Sequence, residues 1–133
     1  MGSGDSFADR YTGQAIPFKF DPGIADKLTD WKLWVSNSGE LGVWADPLRG
    51  FVPLSSITHI YRTDELPLYD VYTAVPGKNE DWWLITSLDD VLALDIDPPG
   101  ELYRLGHPVP VERLLLCVED PKAFAAALGM RLP

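Results

Sequence analysis

The sequence predicts a small α+β domain, in which a mostly antiparallel sheet carries a short N-terminal helix and a C-terminal helix packed on it. Three observations lead to this prediction. The chain has 133 residues, of which 46% are hydrophobic, and this suits one compact domain. Short runs of aromatic and β-branched residues, each bounded by turn residues, recur through its middle. Near each end, an Asp-Pro pair precedes apolar residues at helical spacing, which is a helix start signal.

The N-terminal part of the chain has little pattern. We expect residues 1–15 to be a flexible or edge segment and residues 16–133 to form the single domain. The opening "MGSG" resembles an expression remnant. "FDPGIADKLTDW" then predicts an amphipathic helix of about two or three turns, with Asp21 as N-cap and Pro22 at the first helical position.

The next stretch predicts strands joined by short turns. "KLWVSNSGELGVWA" reads as a hairpin around a three-residue loop that ends in Gly39. "DPLRG" predicts a turn, and Pro53 in "FVPL" predicts an edge strand or a short extended piece. "SSITHIYRT" fits either a helical turn or a strand. "ELPLYDVYTAV" predicts a strand, and "PGKNED" predicts a turn.

The C-terminal half predicts a meander followed by a helix. Its three strands are "WWLIT", "VLALDID" and "ELYRL", joined by "SLDD" and by "PPG". Pro99 and Gly100 occupy the central positions expected of a type II turn. "ERLLLCVE" is apolar on both faces, which predicts a central strand or one covered by a helix. "DPKAFAAALG" predicts a terminal helix that starts at Asp120 and ends at Gly129.

The net charge of −9 is concentrated in one block of the sequence. Residues 64–101 contain ten acids and one base, Lys78, so this acidic block alone carries −9, and the rest of the chain, with ten of each, is neutral. Such a field repels nucleic acid and attracts a basic partner. The alternative is a charged face that only keeps the protein soluble.

No catalytic, cofactor or metal motif emerges from the sequence. Asp95 and Asp97 share one face of their strand, as in metal-binding Asp-x-Asp pairs, but those enzymes need a nucleotide-binding scaffold larger than this chain. His59 and His107 lack a nucleophile motif beside them, and no phosphate-binding glycine pattern occurs. The sequence therefore predicts a non-enzyme without a cofactor or metal. A small hydrolase would need turnover that disappears when one carboxylate is neutralised.

Other features bear on compartment and burial. The single cysteine, Cys117, lies in "LLLCV" and is expected to be a buried, unreactive thiol. No apolar run approaches the roughly 18 residues of a membrane span. We expect a cytoplasmic protein that contacts neither membrane nor nucleic acid.

Aromatic residues accompany the acidic block. Trp82 and Trp83 are adjacent, so they face opposite sides of their strand, and one of them is expected outside the core. Together with nearby tyrosines such as Tyr103, this suits an interface that binds an Arg/Lys-rich surface. The alternative is that two helical layers bury both tryptophans.

Several segments resemble the SUKH superfamily, a broad group named for the yeast cell-wall-synthesis regulator. These are "IPFKFDPGIADKLTDWKLWVSNSGELG", "GFVPLSSI", "WWLITSLDDVLALDIDPPGELYRLGH" and "VEDPKAFAAALG". The chain departs from the family pattern at Ser38, which replaces a glycine, and at Asp89-Asp90. Many bacterial members are toxin-neutralising immunity proteins, and members generally act by binding. The resemblance therefore implies an α+β fold and a binding function.

The acidic block and the resemblance together predict an immunity protein that neutralises a cognate toxin, plausibly a basic nuclease, through an acidic surface. The expected contact residues are Asp89, Asp90, Asp95, Asp97, Trp83 and Tyr103. The alternative is an intracellular regulatory or small-ligand-sensing domain, with a groove between the terminal helix and the sheet. The sequence predicts no oligomeric state.

Overall fold

A computed structural model describes residues 8–133 as one α+β domain with two sheets. Residues 8–10 are helical, and two 3-10 turns cover Ala25–Lys27 and Leu54–Ser56. The longer helix, α1, spans Pro121–Ala127. The strands are β1 (Gly13–Ala15), β2 (Lys32–Ser36), β3 (Glu40–Ala45), β4 (Leu48–Pro53), β5 (Ile57–Arg62), β6 (Ala74–Pro76), β7 (Asp81–Leu84), β8 (Leu92–Ile96), β9 (Glu101–Arg104), β10 (His107–Val109) and β11 (Arg113–Leu116).

The two sheets differ in topology. The six-stranded sheet has the order β1-β2-β3-β4-β9-β10 and is antiparallel throughout. The five-stranded sheet has the order β5-β8-β11-β7-β6, in which only β11 and β7 run parallel. The chain passes between the sheets three times, through the 3-10 turn at Leu54–Ser56, through residues 97–100 and through residues 110–112.

The main core lies between the two sheets, and α1 completes it. Leu41 and Val43 of one sheet and Leu94 and Leu114 of the other are all fully buried in it. The helix adds Phe124, Ala125 and Leu128 to the same cluster. This arrangement confirms the predicted α+β class with a C-terminal helix packed on sheet. Because these apolar side chains fill the space beneath α1, the expected ligand groove between helix and sheet is occupied by core.

Local signals placed the hairpin and the terminal helix correctly. Loop residues 37–39 join β2 to β3, and Gly39 has the positive φ of 80° that the turn requires. The Asp120 carboxylate accepts a hydrogen bond from the Ala123 amide at 3.1 Å, which caps α1. Gly129, at φ 74°, follows its end.

The predicted N-terminal helix is present only as the 3-10 turn at Ala25–Lys27. Gly23 has φ 83°, which breaks an α-helical path two residues after Asp21. Asp21 is therefore not an N-cap, and its carboxylate instead accepts hydrogen bonds from the hydroxyls of Tyr72 and Ser87. Of the predicted edge segment at residues 1–15, residues 1–7 lie outside the described part of the chain, whereas β1 is an edge strand.

Three strand predictions in the middle of the chain were incomplete or wrong. β4 is a central strand between β3 and β9, because Pro53 occupies only its last position, where a missing amide costs little. "SSITHIYRT" contains both alternatives, a 3-10 turn and then β5. "ELPLYDVYTAV" is mostly irregular, with only its end entering β6.

The predicted meander was wrong. β7 and β8 do not pair, because β11 lies between them, and β8 and β9 belong to different sheets. Gly100 lacks the positive φ of a type II turn. It is required instead because a Cβ there would lie 2.7 Å from the Phe51 carbonyl oxygen. The "PPG" segment thus carries the chain between sheets.

Candidate binding surfaces

Exposed apolar side chains divide into two groups, one on each sheet. Among residues 8–133, one group lies on the loop after β5 and the segment before β8; we name it, with its neighbouring acids Asp64, Asp70, Asp89 and Asp90, the loop patch. Its apolar members are Leu66, Leu68, Tyr69, Val71, Tyr72 and Leu88. The other group is Tyr11, Tyr103 and Leu105, which line a hollow on the six-stranded sheet that we name the aromatic groove.

The loop of residues 63–73 is held at its first end by a long-range ion pair. The Arg113 guanidinium donates to both Glu65 oxygens, at 2.6 and 2.8 Å, and to Asp81 at 2.7 Å. Arg113 lowers the pKa of the Glu65 carboxyl by hydrogen bonding to its ionised form. The Thr63 amide also donates to the Val91 carbonyl at 3.0 Å.

The second end of the loop is held by Asp21. Its carboxylate accepts from the Tyr72 hydroxyl at 2.6 Å and from the Ser87 hydroxyl at 2.7 Å. These two donors lower the pKa of Asp21, and the bond to Asp21 raises the pKa of Tyr72. The Ile85 amide donates to the Thr73 carbonyl at 2.9 Å. Both ends of the loop are therefore tied to strands or their flanks.

The apex between these ties projects apolar side chains into solvent. Leu66 is 74% exposed, Leu68 57% and Tyr69 49%. Asp64 and Asp70 form no ion pair with any residue in the described range. The loop therefore combines large exposed apolar groups with two uncompensated carboxylates. A flexible loop of the same composition would lose more conformational entropy on binding than this one.

Beside the loop lies a second apolar cluster, on the outer face of the five-stranded sheet. Its buried members are Trp83, Ile85, Val91, Ala93, Leu115 and Cys117. Trp82 and Trp83 are each only 5% exposed, with Trp82 in the main core. Both tryptophans are thus buried, and Trp83 lines a small hollow together with Leu66 and Leu68 of the loop. Because only 5% of Trp83 is exposed, it offers little surface to a partner, which corrects its assignment as a contact residue.

Burial also determines the protonation of the Cys117 thiol. The thiol donates to the Ser87 carbonyl at 3.1 Å, and desolvation raises its pKa to about 12. It therefore stays protonated at neutral pH, as expected of a buried thiol.

Bases from outside the acidic block neutralise part of it. Asp89 pairs with Lys19, and Asp90 pairs with Arg62 at 2.8 Å. Both aspartates belong to the loop patch, because residues 87–91 lie between the two tied ends of the loop.

Two other predicted carboxylates lie away from the loop patch. Asp95 accepts from the Tyr61 hydroxyl at 3.0 Å and lies 3.6 Å from His59. Asp97 is exposed just beyond β8, at the opposite end of that strand from Asp90. The predicted contact residues therefore do not form one surface, and Tyr103 lies on the other sheet.

The aromatic groove has a volume of about 970 Å³ on the outer face of the six-stranded sheet. Its aromatic residues are Tyr11, Trp34, Trp44, Phe51 and Tyr103. Trp34 lies against Gly42, where an added Cβ would be 2.2 Å from the indole ring. Sequence reasoning included only Tyr103 of this set. The sequence of the hairpin contained a signal for the groove. Trp34 lies opposite Gly42 on the neighbouring strand, and Trp44 follows Gly42 by two residues, so both tryptophans lie on the outward face with Gly42.

The charged groups of the groove are paired within it. Arg10 donates to both Glu40 oxygens, at 2.8 and 3.1 Å, and to Glu101 at 3.0 Å. Arg49 donates to both Asp46 oxygens, at 2.5 and 2.9 Å, and its guanidinium lies 3.8 Å from the Trp44 ring centroid. These contacts raise the pKa of both arginines, so each stays charged.

Comparison with known protein families, curated proteins and solved structures finds no match to this chain. Within the range that the structure describes, no three His, Cys, Asp or Glu side chains converge on a position suited to a metal ion. In the same range, no helix is both long enough and apolar enough to cross a bilayer.

Proposed function

We propose that the protein is a non-enzymatic binding protein whose loop patch engages a basic partner protein. The observation that carries this proposal is a loop tied at both ends, with exposed apolar side chains at its apex and two carboxylates, Asp64 and Asp70, that form no ion pair within the described residues. Large apolar side chains form the centres of stable interfaces, and charged residues commonly form their rims. Because the ties to Arg113 and Asp21 limit loop motion, little ordering is needed on binding.

The charge distribution indicates the chemistry of the partner. Asp64 at the first tied end and Asp70 at the apex have no ion pair among the described residues, whereas Asp89 and Asp90 have one each. Free carboxylates attract a partner rich in Lys and Arg and accelerate its association at low salt. The carboxylates would occupy the positions that phosphates take in a nucleic-acid-binding cleft.

Neutralisation of a cognate toxin is the role that combines this surface with the resemblance to the SUKH superfamily. In this proposal the protein acts in the cytoplasm as an immunity protein, and its target is a basic toxin such as a nuclease. The loop patch blocks the basic substrate cleft of that toxin. Inhibition then requires one-to-one binding and no turnover.

The test uses the purified protein as bait in a lysate of its source, with washes at low and high ionic strength. The retained protein is then identified and purified, and its activity is assayed with increasing bait. We expect a basic protein that high salt releases, because the Debye length falls from about 10 Å to about 3 Å. We also expect its activity to be lost at one equivalent. Full activity at saturating bait would contradict the inhibitor role.

A charge-reversal variant tests whether the loop patch is the surface that binds the basic partner. Asp64→Lys/Asp70→Lys should weaken partner binding about tenfold or more and flatten its salt dependence. The matched control is Asp26→Lys/Asp30→Lys, which changes the net charge equally at exposed positions outside the acidic block. Equal weakening by both pairs would mean that only net charge matters, and the loop patch would lose its assignment.

A further inference from the structure

The aromatic groove is a second hollow surface, separate from the loop patch. It adjoins another hollow of about 840 Å³, and the two share Tyr11, Trp34 and Trp44 as their common wall. Each volume lies in the range typical of ligand sites. Tyr103 is 41% exposed and Leu105 is 70% exposed at the groove rim. Adjacent hollows divided by aromatic rings suit an elongated ligand that crosses the wall.

Most carboxylate acceptors of the groove are already hydrogen-bonded, whereas two of its donors are not. Both oxygens of Asp46 and one oxygen of Glu101 already accept from arginines, so three of the four carboxylate oxygens in the lining are used. In contrast, the Trp44 indole N–H and the Tyr103 hydroxyl make no hydrogen bond within residues 8–133. The indole N–H is open to solvent, since every buried side-chain polar atom in this range has a partner. The groove therefore offers donors more than acceptors.

Charge constrains the ligand further. Arg10 and Arg49 balance Asp46 and Glu101, so these four groups of the lining sum to zero in a chain of net charge −9. A charged ligand would have to compete with the existing ion pairs. The fitting ligand is uncharged, elongated and apolar, and it presents acceptors without donors. A polyproline II segment has these properties, because proline lacks an amide hydrogen and its carbonyls are not used internally.

We propose that the aromatic groove binds an extended proline-rich segment of a second protein. Aromatic-lined grooves recognise such segments in general, since the peptide is preformed and loses little entropy on docking. The prolines lie against Trp44, Tyr103 and Leu105. The Trp44 indole and the Tyr103 hydroxyl donate to peptide carbonyls. This site is independent of the toxin-binding proposal, because it lies on the other sheet.

The test is an NMR titration of the full nitrogen-15-labelled chain with decaproline at up to millimolar concentration. The chain has five tryptophans, and each contributes one indole N–H to be assigned. We expect a saturable shift of the Trp44 indole signal, whereas the Trp34 indole, which donates to the Arg10 carbonyl at 2.8 Å, should shift less. Tyr103→Phe should weaken binding about fivefold, because it removes one donor without removing the ring. Tyr69→Phe in the loop patch is the matched control and should have no effect.

Two comparison ligands make the outcome specific. A Gly-Ser peptide of equal length tests for the polyproline conformation, and cellohexaose tests for a neutral sugar of similar length. The proposal is overturned if the Trp44 indole signal does not move with decaproline. An equal response to either comparison ligand would also overturn it.

Discussion

On the five-stranded sheet, the loop of residues 63–73 is tied at both ends beside a buried apolar cluster, whereas within residues 8–133 no comparable tied loop lies beside the aromatic groove on the six-stranded sheet. Each face carries long-range arginine–carboxylate pairs, but the pairs hold different segments. Arg113 ties the loop to the sheet through Glu65, 48 residues away. On the other face, Arg10 pairs with Glu40 and Glu101, 30 and 91 residues away. Similar chemistry therefore holds a loop on one face and the edge of an open groove on the other.

The largest expected difference between the faces is in stability. Leu115→Ala, in the second cluster, should lower the free energy of unfolding by about 3 kcal/mol, because it leaves a cavity in a fully buried part of that cluster. Trp44→Ala, on the open face, should cost less than about 1 kcal/mol. Urea unfolding of both variants measures this. Equal losses would show that the two outer faces are not different in kind.

The next effect concerns the ion pairs themselves. Arg113→Ala should lower the free energy of unfolding by about 2 kcal/mol, mostly because Asp81, whose side chain is only 12% exposed, loses its partner. Limited proteolysis should then cut within residues 66–71. Arg49→Ala is the matched control and should leave both stability and proteolysis unchanged, because its pair is local and exposed. Resistance of the Arg113 variant to proteolysis would contradict the tying role.

The Asp120 cap of α1 lies on neither outer face, so a substitution there is a control for both. Asp120→Ala removes the hydrogen bond to the Ala123 amide and should cost about 1 kcal/mol. Neither the Trp44 indole signal nor proteolysis at the loop apex should change. A change in either readout would mean that the faces are coupled through the core.

The smallest expected effect is a pH dependence of the loop. Glu65 and Asp21 have pKa values lowered in the folded protein by their hydrogen bonds to Arg113 and Tyr72. Their contributions to stability are therefore fully present above the unfolded pKa of about 4 and are lost as pH falls through the lower folded values. Hydrogen exchange of residues 63–73 should rise, relative to the intrinsic rate, as pH falls below about 4. Glu65→Gln should reduce this change, and an unaltered profile would argue against the tie.

Features that depend on contacts between residues close in the sequence were predicted correctly, and features that depend on distant contacts were not. The β2–β3 hairpin and α1 were predicted correctly because Gly39 and Asp120 act within their own turns. The meander was wrong because β11, far along the chain, inserts between β7 and β8. The insertion is a nonlocal pairing, and no turn residue near β7 or β8 signals it.

The candidate surfaces follow the same rule. The acidic block and its aromatic residues were visible in the sequence, but their ion pairs with Lys19, Arg62 and Arg113 were not. These long-range contacts decide which carboxylates are free.

The most direct test of the central claim is hydrogen exchange of the protein alone and bound to the basic partner retained in the salt-dependent capture. We expect new protection at residues 63–73 and 87–91, and none at residues 42–51 or 101–106 in the aromatic groove. Protection confined to the groove, with no change in the loop, would contradict the assignment of the loop patch as the partner-binding surface.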